Sequence, residues 1–151
     1  MNLDQITLVK ESFRLASPRL DEVAQRFYAD LFSHHPELRS MFASDLTSQR
    51  AKLVDELLAI VDALDHLGEL VGRTTELGVR HAGYGVAPEH YEFVGESLRR
   101  ALGAVLGDRY DADVDTAWRL AYNLVAETMV LGAAGSGARP GQARLGGRVT
   151  G

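Results

Sequence analysis

The 151-residue sequence predicts an all-α fold in which several helices cross in one globule. Two observations carry that prediction. Apolar side chains recur every three or four positions through the first 131 residues, and no segment alternates apolar and polar residues for long enough to make a strand. The same stretch shows no internal repeat and no long heptad seam, which favours crossing helices over a coiled coil.

The first helix is predicted from Asp4 to Ala16, with Ile6, Val9, Phe13 and Ala16 on one face and Lys10, Glu11 and Arg14 mostly away from it. Ser17 as N-cap and Pro18 in the first turn open a second helix, whose stripe is Leu20, Val23, Ala24, Phe27, Leu31 and Phe32. Pro36 starts a short helical turn ending near Met41 and Phe42. The adjacent His34 and His35 point in different directions, which makes them poor joint ligands, and they are read as solvated. Asp45 or Thr47 caps a third helix with the stripe Gln49, Leu53, Leu57, Ile60, Val61 and Leu64, on which Gln49 is the polar member.

Asp65 is the expected cap of a fourth helix carrying Leu67, Leu70, Val71, Thr74, Leu77, Gly78 and His81 at helical intervals, so His81 faces inward. A glycine-containing turn from Gly83 to Ala87 follows, and Pro88 suits the first position of a fifth helix through Tyr91, Val94, Leu98, Ala101, Leu102 and Val105, stopped by Gly107. The last helix, capped by Asp111 or Asp113, buries Val114, Ala117, Trp118, Ala121, Leu124, Val125 and Thr128. From Gly132 to Gly151, seven of twenty residues are glycine, and Arg139, Arg144 and Arg148 are the charged ones. Such composition cannot bury enough apolar surface to order itself, so 132–151 is expected to be a disordered tail behind a domain of residues 1–131.

Composition narrows the function. With no cysteine there is no disulfide, no thiolate metal site and no thioether attachment of a cofactor. A net charge of −5 argues against nucleic acid as a partner. No basic-then-apolar leader and no span-length apolar run is present, so a cytoplasmic protein without a membrane span is expected. The two GxG-like segments, Gly83-Tyr84-Gly85 and Gly135-Ser136-Gly137, follow no strand and support no dinucleotide site. The inward imidazole of His81 fits either of two roles, a metal ligand or a cationic side chain stabilised by the negative end of its helix.

Several motifs in register add to this. Phe27-Tyr28-Ala29-Asp30-Leu31-Phe32, His35-Pro36-Glu37-Leu38-Arg39 with Phe42, Gln49 with Leu53, Arg80-His81 through Tyr91-Glu92-Phe93-Val94-Gly95, and Ala117-Trp118 with Ala121-Tyr122 together resemble the bacterial single-domain globins and the haem domains of flavohaemoglobins, over Leu3 to Leu131. The resemblance implies a globin fold, a three-over-three helical sandwich, holding haem b (iron protoporphyrin IX). It implies that His81 is the proximal iron ligand, that Leu77 packs beneath the porphyrin, that Phe42 wedges against its face, and that Leu53 and Val86 line it. Tyr91 is implied to orient the imidazole from its other side.

On the opposite face, Tyr28 and Gln49 take the places of the residues that hydrogen-bond a ligand, and so are the candidate working residues. The implied function is reversible, high-affinity binding of O2, with NO and CO as further ligands, and conversion of NO to nitrate with electrons from a separate reductase. Alternatives are a gas sensor or O2 store acting through a noncovalent partner, and a haem-free interaction module in which His81 is a helix cap and Gln49 a surface residue. The chain departs from the flavohaemoglobin pattern in one place. Where that pattern has a proximal glutamate, counting from Trp118 gives Ala133, and Glu127 is too far along the helix to replace it. Partners for the haem propionates stay open, with Arg80 and Lys52 placed only by position.

Overall fold

The computed structural model describes residues 1–135. Six α-helices carry the chain: α1 (Leu3–Ala16), α2 (Leu20–His34), α3 (Thr47–Asp62), α4 (Leu67–Gly83), α5 (His90–Leu106) and α6 (Ala112–Gly135). Four 3₁₀ turns, Ser17–Arg19, Pro36–Met41, Ala63–Asp65 and Gly107–Arg109, link them. No strand occurs among the described residues. The helices form two layers, α1, α3 and α4 over α2, α5 and α6, with α6 crossing both α4 and α1 and with α5 lying along α2.

Local chemistry sets the helix ends. Asn2 and Gln5 close a reciprocal capping box at the start of α1, the Asn2 side chain accepting from the Gln5 N–H at 2.8 Å and the Gln5 side chain from the Asn2 N–H at 2.9 Å. As the sequence predicts, Asp111 accepts from the Val114 N–H at 2.9 Å and Gly107 stops α5 with a φ of 57° that an L side chain rarely adopts; at α3 the cap position is Leu46, and Asp45, one residue ahead of it, accepts from the Thr47 N–H at 2.9 Å.

Three expected starts differ. Ser17 has helical backbone angles (φ −56°, ψ −34°), whereas an N-cap needs an extended residue, so its hydroxyl turns back to donate to the Arg14 carbonyl at 2.7 Å. That carbonyl has lost its usual partner because Pro18 has no N–H, and α2 opens only at Leu20. Pro88 stands in a turn two residues ahead of α5, where His90 Nδ1 accepts from the Ala87 N–H at 3.0 Å. Asp65 belongs to a 3₁₀ turn and faces Lys10 at 3.5 Å and His66 at 2.8 Å, and α4 begins at Leu67 without a side-chain cap.

The closest approach is between α4 and α6. A Cβ on Gly78 would overlap the backbone of Met129, and one on Gly132 would meet the backbone of Thr75. Alongside, the Thr74 and Thr128 hydroxyls lie 2.6 Å apart and Thr74 also donates to the Leu70 carbonyl at 2.9 Å, which satisfies a fully buried polar side chain. Gly132 is thus a packing residue of α6, which runs four residues past the expected domain boundary; the rest of the predicted tail lies outside the described residues. Between α2 and α5, Asp30 takes three hydrogen bonds from two guanidinium nitrogens of Arg100 at 2.8–3.0 Å and a 2.7 Å bond from the buried Ser97 hydroxyl. These bonds fix the part of α2 that carries Tyr28.

Candidate functional site

The two layers enclose an apolar cavity of about 190 Å³, bounded by α2, the 36–41 turn, α3, α4, the 84–89 turn, α5 and α6. All eight residues singled out in the sequence line it: Tyr28, Phe42, Gln49, Leu53, Leu77, His81, Val86 and Tyr91. They come from six separate segments, and their convergence on one cavity is the principal result of the fold.

His81 sits in the last turn of α4, with Nδ1 2.9 Å from the Leu77 carbonyl. A carbonyl only accepts, so Nδ1 carries the proton and the Nε2 lone pair is left for another partner. Burial holds the imidazole below its ordinary pKa, ahead of the opposing pull of the Leu77 carbonyl. The ring is therefore neutral near pH 7, which suits a metal ligand and not the cationic cap that the helix terminus alone would have explained.

Tyr28 is 4% exposed, its ring edge-on to Phe27 and Phe42 with centroids 4.8 and 5.7 Å away. Burial pushes its phenol up to about 12, against a hydrogen bond from Gln49 that pulls it down. The phenol is therefore protonated near pH 7, and its O–H is a donor inside the cavity. Gln49 is itself only 9% exposed, although it stands in the first turn of α3, so its amide serves the cavity and not solvent. Phe42 is held by Arg39, whose guanidinium donates to the Ala43 and Ser44 carbonyls at 2.8 Å and lies over the Phe32 ring at 5.3 Å.

On the His81 side, Tyr91 is raised to about 12 by burial, and its backbone carbonyl accepts from the Tyr122 hydroxyl at 2.6 Å. Gly95 makes room for the Tyr122 ring. The partner of His81 Nδ1 is the Leu77 carbonyl, and Tyr91 lines the same cavity. Arg80 and Lys52 are exposed and outside the cavity lining. Glu127 is exposed as well, in keeping with its exclusion as a proximal partner. His35, expected in solvent, is stacked on Phe93 with centroids 3.8 Å apart, because α5 brings that ring beside it.

Two lining residues escape a reading of the sequence. His90 reaches the wall from the start of α5, and Glu56 places a carboxylate there, bonded to Arg73 at 2.8 Å. Glu56 is seven residues after Gln49 and three after Leu53, so helical spacing already put it on the Gln49–Leu53 face.

The donor set bears on what the cavity can hold. Among the described residues no group of three His, Cys, Asp or Glu side chains could cage a bare metal ion. The His81 imidazole, tied at Nδ1 in an apolar cavity, instead suits an iron that brings its own equatorial nitrogens, as in haem, with the Nδ1–carbonyl bond orienting the ligand as metal-bound histidines require. The residues present thus fit a haem.

A globin family model matches residues 25–129. The chain is 30% identical over 128 residues to a flavohaemoprotein of Bacillus subtilis, covering 83% of this chain but 32% of that protein. It is 31% identical over 127 residues to a globin-like protein of Aquifex aeolicus, covering 84% of this chain and 90% of the other. The chain therefore spans about a third of the length of the flavohaemoproteins it matches. Among solved structures it superposes on an engineered carbene transferase derived from a Rhodothermus marinus protein provisionally named a nitric oxide dioxygenase, with a TM-score of 0.82 and 28% identity over 91% of this chain and 96% of that one. A globin of Campylobacter jejuni shares the fold at a TM-score of 0.79 and 22% identity, over 89% of this chain and 98% of the other. With a two-layer helical fold, a neutral histidine facing an apolar cavity and a matching family model over most of its length, the chain belongs to the globin family.

Proposed function

We propose that the chain binds haem b through His81 and uses the opposite wall of the cavity to retain O2 reversibly and tightly. The observation that carries this reading is one cavity lined both by the neutral His81, tied at Nδ1, and by the Tyr28–Gln49 pair. A bound haem supplies an iron with one open coordination position for O2, NO or CO.

The remaining contributions belong to the protein. His81 offers Nε2, and the Leu77 carbonyl fixes the ring's rotation. Phe42, Leu53, Leu77 and Val86 present apolar surface that excludes water. Tyr28, kept protonated by burial, offers its O–H, and the buried Gln49 presents an amide to the same cavity. A partly charged ligand such as O2 gains about 1.5–3 kcal/mol from each such hydrogen bond, and CO, which is less polarised, gains less. A net ~2–3 kcal/mol from the pair slows O2 release roughly 30- to 150-fold relative to an apolar pocket.

Oxidation of NO to nitrate is the reaction this pocket suits. Its electrons must come from outside these 151 residues, because no dinucleotide-binding segment occurs in them. The proximal glutamate of the flavohaemoglobin pattern is replaced by Ala133, which argues against strong peroxidase behaviour. Purified, haemin-supplied protein is expected to show a Soret band that His81→Ala abolishes and added imidazole restores; a colourless wild-type protein would rule the reading out.

A further inference from the structure

The cavity lies between α3 and α4, yet few backbone contacts hold these helices together beyond their shared 3₁₀ corner at Ala63–Asp65. One side-chain link spans them. Glu56 of α3 accepts from Arg73 Nε of α4 at 2.8 Å, and no other hydrogen bond or ion pair among the described residues joins the two helices. Glu56 stands one turn beyond Leu53 and lines the cavity, while Arg73 stands one turn before Leu77 and two before His81. The pair thus bridges the helices between their common corner and the stretch where Gln49 and Leu53 face Leu77 and His81.

The exposures are unequal, 19% for the Glu56 side chain and 45% for Arg73. The carboxylate therefore belongs to the cavity wall, and Arg73 covers it from the solvent side. An ionised carboxylate in an apolar wall is destabilising unless it is paired. Without Arg73 it would recover hydration only by drawing water into the cleft or by moving outward with its helix. Either movement separates α3 from α4, the two helices between which the cavity lies.

We propose that Glu56 and Arg73 form a clasp that holds α3 against α4 and retards haem loss, an inference that rests on the haem-binding reading above. Arg73, outside the cavity lining, is in this view a positioning residue that acts on haem through Glu56 and the spacing of the two helices. Because Arg73 is half exposed, replacing it leaves the core intact, and far-ultraviolet circular dichroism checks this for each variant.

The test is the first-order rate at which haemin-loaded protein surrenders haem to excess apomyoglobin, followed in the Soret region. Glu56→Gln and Arg73→Gln are each expected to lose haem about two- to fivefold faster than wild type, the range set by a partly exposed ion pair. The exchanged pair, Glu56→Arg with Arg73→Glu, is expected to return the rate to within about twofold of wild type, since the tie is restored with its charges reversed. Raising the salt to about 1 M, where the screening length is about 3 Å, should speed wild type and leave the single variants unmoved. Single variants that keep the wild-type rate, or an exchanged pair as fast as the singles, would overturn the clasp. A wild-type protein with no Soret band would overturn haem binding and the clasp together, whereas a wild-type Soret band with variants unaltered in haem loss removes the clasp alone.

Discussion

Replacing Tyr28 by phenylalanine removes one oxygen atom from the cavity and leaves the ring's contacts with Phe27, Phe32 and Phe42 in place. Two consequences follow for a haem-loaded protein. A bound O2 loses a donor worth about 1.5–3 kcal/mol, which at ~1.36 kcal/mol per tenfold speeds release roughly 10- to 150-fold. The Gln49 amide also loses a polar neighbour, and being 9% exposed it must find a partner in the cavity, where the ligand is within the same walls. Part of the lost stabilisation is then recovered by Gln49, so the expected acceleration falls toward the lower end, about tenfold. The two side chains act as a coupled pair. Gln49→Leu should cost more in the Tyr28→Phe background than in wild type if the amide takes over, by a coupling of about 0.5 kcal/mol or more. Stopped-flow displacement of O2 by CO measures both rates, and CO dissociation, followed separately, should change by less than O2 dissociation. An unchanged O2 rate in Tyr28→Phe would remove the phenol from ligand binding and refute the assignment of this wall as the ligand side.

Other expectations can be checked without a gas. Burial pushes the Tyr28 and Tyr91 phenols up to about 12, above the ordinary tyrosine value of about 10, so the folded protein binds these protons more tightly than the unfolded chain. That stability is present below pH ~10 and is lost as pH rises through ~12; for Tyr28 alone it is worth about 2–3 kcal/mol. Urea midpoints of the apoprotein should therefore fall between pH 10 and 12, and fall less steeply in Tyr28→Phe. Gly78→Ala places a methyl on the Met129 backbone, which side-chain rotation cannot relieve, and is expected to destabilise the protein by at least about 1–3 kcal/mol in thermal or urea unfolding. Removing haem should leave the protein less stable by about 4–5 kcal/mol, from a cavity of about 190 Å³ at ~24 cal/mol per Å³. Calorimetry of haem-loaded and haem-free protein tests this, and equal unfolding temperatures would mean that the cavity collapses.

What the sequence made legible was whatever a single helix determines by itself. The stripe that ends in His81, the cap at Asp111 and the stop at Gly107 depend on residues within one or two turns of each other, and they stand as expected. What escaped depends on a second segment. Glu56 reads as one more solvated carboxylate until Arg73, seventeen residues on, is beside it. His35 reads as solvated until Phe93 arrives from α5. Gly132 is read from composition as part of a disordered run, because glycine weakens an isolated helix and also permits close helix contact, and only the Thr75 backbone distinguishes the two. Ser17 and Pro88 were misplaced for a more local reason: a proline fixes its own φ and removes one donor but does not dictate whether the neighbouring turn is α or 3₁₀.

These pieces meet in α4, whose two sides have different duties. Thr74 and Gly78 face α6, where the near-absence of side chain at Gly78 brings the helix onto the Met129 backbone. Leu77 and His81, one turn apart on the neighbouring face, line the cavity. Because a helix is stiff over a single turn, the depth at which Gly78 seats fixes how far the imidazole stands from the Tyr28–Gln49 wall, just as the Asp30–Arg100 bonds fix α2 on the other side. The width of the cavity is thus set by contacts behind it and not by the residues that line it. Substitutions at Gly78 should alter ligand release as well as stability, whereas shape-conserving changes at Leu53 or Val86 should alter release while leaving the fold nearly as stable.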